Sequence, residues 1–206
     1  TNARPIIAGN KIILPGTGGT FFIISKDKGD VLWTENISSN KQLPKLFHAG
    51  DIVANPIYQN EKAFLVSQSG YISAFNINTS EELWSLPIGG LETPVLSGQT
   101  IFLNGNMGLL AAIDINTGQV RWTKKYSSHV NEDSYFKEKE VAIYKGPTLI
   151  DSKIFFSSHD GRISIMNANN GVEIDNLLVD SLALAPIPFE NKVFFLTSTG
   201  KFTAYK

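Results

Sequence analysis

The stretch Ala74-Phe-Asn-Ile-Asn-Thr-Ser80-Glu-Glu-Leu-Trp84 lies, residue for residue, over Ala112-Ile-Asp-Ile-Asn-Thr-Gly118-Gln-Val-Arg-Trp122. An internal repeat changes the meaning of every residue inside it, so it has to be read first. The same frame fits Ile23 to Trp33, with Gly29 in the turn, and Ile165 to Asp175, with Gly171 in the turn and Asp175 in place of the tryptophan. A fifth copy begins at Pro186, passes Gly200 and Ala204, and stops at Lys206. Two further ladders keep register: prolines at 5, 56, 94, 147 and 186, and glycines at 19, 70, 108, 161 and 200. The repeats are expected at about 1–33, 52–84, 90–122, 143–175 and 182–206 of a single region, 1–206.

Each copy reads as short strands. Ala63-Phe-Leu-Val66, Ile101-Phe-Leu103, Ile154-Phe-Phe156 and Val193-Phe-Phe-Leu196 are aromatic and β-branched runs bounded by turn formers, and no helical period of useful length appears. Asn60-Glu61, Gly98-Gln99 and Asn191-Lys192 are expected to form tight hairpin turns. Each proline is expected at the start of an opening strand, where a missing N–H costs least. Four antiparallel strands recurring about every 40 residues give an all-β fold, a β-propeller of four-stranded blades. A sandwich would not require a tryptophan at constant distance from a glycine turn. A blade does, because the indole at the end of its outer strand can dock on a neighbour. On this reading Trp33, Trp84 and Trp122, with Gly118 and Gly171, are structural docking residues.

The totals exclude several functions. Eighteen Lys plus Arg stand against 19 Asp plus Glu without a long single-sign block, which argues against a nucleic-acid or anionic-membrane surface. The absence of cysteine removes disulfides, thiolate metal sites and a cysteine nucleophile. His48, His129 and His159 are far apart in sequence and have no partners at metal-ligand spacing. Asp114-Ile-Asn-Thr-Gly118 starts like a calcium loop but lacks the later ligands, and Pro15-Gly-Thr-Gly-Gly-Thr20 lacks the lysine of a phosphate loop. No catalytic residue, metal site or cofactor is expected. The long links, 34–55 and 123–146, carry Phe47, Tyr135 and Phe136 beside charged residues, and strand parity puts both on the side of the glycine loops. Exposed aromatics on loops of a rigid scaffold make these the candidate partner surfaces.

Ala112, Asp114, Gly118 and Trp122 match the signature Ala-x-Asp-x-x-x-Gly-x-x-x-Trp in full, and the chain thereby resembles the quinoprotein-type propeller repeat. The order of the links and the terminal stretch Asn191 to Lys206 resemble the C-terminal part of the BamB family. That resemblance implies a periplasmic scaffold, tethered to the outer membrane by a lipid anchor absent from this chain. Its implied partners are BamA and the β-barrel assembly complex, bound through loops on one propeller face. It also implies an eight-bladed propeller, of which about four and a half blades would be present, with Asp51 matching an acidic residue of the family's contact loop. A piece of that kind, opening at Thr1 without a methionine, is expected to associate edge to edge with a second copy. The rival functions are a quinoprotein-like dehydrogenase holding quinone and calcium, and a generic ligand-binding propeller.

Overall fold

The computed structural model describes residues 3–37, 50–68, 70–126, 144–158 and 161–205. Among the described residues nineteen strands form five antiparallel sheets with sequential strand order. The first holds β1 (Ile6–Ala8), β2 (Lys11–Pro15), β3 (Thr20–Ser25) and β4 (Val31–Asn36). The second holds β5 (Ile57–Gln59), β6 (Lys62–Val66), β7 (Ile72–Asn76) and β8 (Glu82–Leu86). The third is β9 (Val95–Ser97), β10 (Thr100–Gly105), β11 (Leu109–Asp114) and β12 (Val120–Lys125). The fourth is β13 (Tyr144–Ile150), β14 (Lys153–Ser158), β15 (Arg162–Asn167) and β16 (Glu173–Leu178). The fifth has three strands, β17 (Ile187–Phe189), β18 (Lys192–Leu196) and β19 (Phe202–Tyr205). Among the described residues the only helical element is a 3-10 turn at Asn106–Gly108. The chain divides into two compact units, 1–100 with 114–119, and 101–113 with 120–206.

Burial follows position in the repeat. In the second and third sheets the two middle strands, and in the fourth β14, are buried almost without interruption, the pattern of a strand covered on both faces. In the first and fifth sheets β3 and β18 bury alternate residues, so one face is fully covered and the other only in part. Within the first unit Ile13, Phe21 and Ile23 of the first sheet pack on Ala63, Leu65 and Phe75 of the second. Within the second unit Phe102, Leu110 and Ala112 meet Ile154, Phe156 and Met166, and Phe155, Ile163 and Ile165 meet Val193 and Phe195. Each such aromatic or branched side chain contributes about 1.5–3 kcal/mol when fully buried.

Three local expectations are corrected. The last hairpin turns at Glu190-Asn191, because Phe189 pairs with Lys192 and Glu190 takes the left-handed φ of 51°. Four prolines precede their strands, but Pro147 lies inside β13, at a register shift between Lys145 and Thr148 where no ladder N–H is demanded of it. The outer strands also run three residues beyond Trp33 and Trp122, so the links that follow begin later than the tryptophans suggest.

Candidate functional site

The tryptophans sit on outer strands, half-buried, and each reaches forward into the next repeat. Trp33 Nε1 donates to the Ile77 carbonyl at 3.3 Å, Trp84 Nε1 to Ile115 at 3.0 Å and Trp122 Nε1 to Ala168 at 3.0 Å. The receiving groups are the turns that carry the repeat glycines. A Cβ on Gly118 would stand 2.8 Å from Trp84 Cδ2, and one on Gly171 would stand 2.6 Å from Trp122 Cε3. Both glycines also take left-handed φ, 72° and 69°. The glycine is therefore needed twice over, for backbone conformation and for the face it offers the indole. The structure thus brings Trp84 to Gly118 and Trp122 to Gly171, pairs that belong to successive copies. In the second copy Ser80 occupies the glycine position at φ 61°, and the Trp33 hydrogen bond is the longest of the three.

Asx turns complete these hairpins. Asp114 Oδ1 accepts from the backbone N–H groups of Asn116 and Thr117 at 2.9 and 3.0 Å, and Asn76 Oδ1 does the same for Asn78 and Thr79. Asp114 is thereby engaged in its own turn. Among the described residues, no group of three or more His, Cys, Asp or Glu is placed to hold a metal ion. The three histidines lie outside the described residues.

Of the candidate contact residues, Phe47, Tyr135 and Phe136 lie outside the described residues. Asp51 is described, and its carboxylate accepts from Gly18 N–H at 2.7 Å while its carbonyl accepts from Gln68 N–H at 2.9 Å. It thus straps the loop between β2 and β3 to the loop between β6 and β7. Ile52 and Ala54, beside it, are buried, while Val53 is partly exposed. Asn55 continues the strap: its side chain accepts from Arg4 N–H at 2.8 Å and its own N–H donates to Thr93 Oγ1 at 3.0 Å. The segment before Pro56 is held at four points, and the partner of Asp51 lies 33 residues away. Sequence reading missed this role of Asp51, because a contact at that separation leaves no local pattern.

The family model described as outer membrane protein assembly factor BamB matches residues 1–124 and 103–206. The chain belongs to the BamB family. BamB from Moraxella catarrhalis superposes with a TM-score of 0.76 at 17% identity, over 98% of this chain and 57% of that one. The computationally designed Ika8 protein gives 0.74 at 14% identity, over 98% and 57%. The quinohemoprotein alcohol dehydrogenase ADHIIG from Pseudomonas putida HK5 gives 0.64 at 14%, over 99% and 41%. At these identities the likeness is one of fold, and it establishes the all-β propeller built from four-stranded antiparallel blades. The chain spans 57% of the length of the Moraxella BamB. No curated protein matches the sequence.

Proposed function

We propose that this chain is part of a non-enzymatic scaffold of the outer-membrane β-barrel assembly machinery, acting in the periplasm and binding BamA through loops on the side of the glycine loops. The observation that carries the reading is the BamB family match, which runs over both halves of the chain. The strapped segment from Gly50 to Pro56 supports it physically, since a recognition loop already ordered loses less entropy on binding. The five repeats are proposed to form one continuous propeller region. The likeness to a dehydrogenase extends to the fold, which enzymes and scaffolds share.

Asp51 separates loop order from contact. Asp51→Asn keeps an acceptor for Gly18 N–H and removes the charge, whereas Asp51→Ala removes both. If Asp51 meets the partner through its charge, the asparagine variant of the full-length protein binds the periplasmic region of BamA more weakly by calorimetry while its melting temperature stays within about 2 °C. Failure of the unaltered full-length protein to bind BamA, or any other component of the machinery, would refute the proposal.

A further inference from the structure

The second unit contains a cleft of about 590 Å3 between the outer strand of the third sheet and the outer half of the fourth. Its position follows from the repeat. After Trp122 docks on the Gly171 turn, β12 runs on through Lys124 and Lys125, both exposed, to Tyr126, whose ring packs on Phe156. The opposite wall is the β15–β16 pair, where Arg162 stands across from Leu178 and Ser164 across from Asn176. Lys124, Lys125 and Arg162 line the cleft against a single carboxylate, Glu173, among its described lining residues. This chain has a formal net charge of −1, so the cleft carries a local field opposite in sign to the whole. Leu178, 77% exposed, adds an apolar surface next to the cations, and Asn176 adds an amide that can both donate and accept. The volume lies in the range of ligand sites, roughly 300–1,000 Å3.

From this juxtaposition we propose that the cleft between β12 and β16 binds an extended acidic peptide segment, with carboxylates on Lys124, Lys125 and Arg162 and an apolar side chain on Leu178. A compact inorganic anion would leave the apolar wall unused. A flat membrane surface is met by protruding cations, whereas these line a recess. Both walls are extended strands, β12 on one side and the β15–β16 pair on the other, so the recess suits a chain that is itself extended. The inference is independent of BamA binding, which is assigned to other loops.

The test uses a fluorescein-labelled hexapeptide of alternating Leu and Asp, with Leu–Asn and Leu–Lys versions of equal length, and fluorescence anisotropy on the whole chain. The expected result is that the Leu–Asp peptide binds, the Leu–Asn peptide binds about tenfold more weakly, and the paired substitution Lys124→Glu with Lys125→Glu weakens Leu–Asp binding about tenfold while creating affinity for the Leu–Lys peptide. Both lysines are exposed, and circular dichroism checks that the fold is kept. Lys26→Glu with Lys28→Glu, on a turn of the first sheet, should change nothing. Absence of Leu–Asp binding, equal loss in the two paired variants, or lysine-dependent capture of phosphatidylglycerol vesicles in preference to the peptide would overturn the proposal.

Discussion

The glycine turns permit a prediction in which one change isolates the docking energy of a tryptophan. Gly29, Gly118 and Gly171 hold the same place in the repeat and nearly the same φ, 75°, 72° and 69°. A methyl on Gly29 meets nothing within 4 Å, whereas on Gly118 or Gly171 it falls 2.8 or 2.6 Å from an indole carbon. Gly29→Ala therefore costs only the left-handed strain of an L-residue, about 1–2 kcal/mol. Gly118→Ala and Gly171→Ala add the displacement of a packed ring, about 1–3 kcal/mol, and weaken an indole hydrogen bond of about 0.5–1.5 kcal/mol. The expected totals are roughly 1–2 kcal/mol for the first variant and 2.5–6.5 kcal/mol for the others. Urea denaturation followed by circular dichroism measures each cost, and the cycle with Trp122→Ala isolates the contact. In the Trp122→Ala background, Gly171→Ala should fall to the Gly29→Ala value. Equal costs at all three glycines, or an unchanged Gly171→Ala cost without the indole, would refute the docking account.

Two other predictions follow from the same repeat. Ser80→Gly relieves a serine held at φ 61°, and should raise stability by about 0.5–1 kcal/mol in the same denaturation assay. Tyr205 donates to Asp175 Oδ2 at 3.1 Å, and this hydrogen bond, then desolvation and the Asp175 charge, raise its pKa above the ordinary 10.0. A raised folded value means that the protonated phenol favours the fold, so this small contribution is present below pH 10 and is lost as pH climbs through the folded pKa. Ultraviolet titration at alkaline pH should show one tyrosine ionising late, and Asp175→Asn should return it towards 10.

The repeat was legible because within a copy the turn and its tryptophan keep a fixed interval, Gly29 before Trp33 and Gly118 before Trp122, while the docking pairs, Trp84 with Gly118 and Trp122 with Gly171, are not evenly spaced along the chain. The repeat pointed to docking on a neighbour but not to which one, the preceding copy or the following, since every copy carries its own turn at the same offset. Turn positions were legible where residue type announces left-handed backbone, as at Gly98. They were misplaced where Glu190, an ordinary strand-flanking residue, adopts it. Asp51 stood out by position before Pro56, but its bond to Gly18 is tertiary and has no sequence shadow. The cationic cleft was illegible for the same reason. Lys124 and Arg162 are far apart in the chain, and the gap between them exists only once the third and fourth sheets are packed.

The forward reach of each tryptophan makes the array directional. Trp33 depends on the turn after Ile77, Trp84 on that after Ile115, and Trp122 on that after Ala168, so each repeat is completed by its successor. Nearest-neighbour coupling of this kind behaves as a one-dimensional cooperative chain. Its two ends are energetically unequal: shortening from the carboxyl side strips an indole of its seat, while shortening from the amino side removes the indole together with its own strand. Damage at one turn is accordingly felt first in the blade before it.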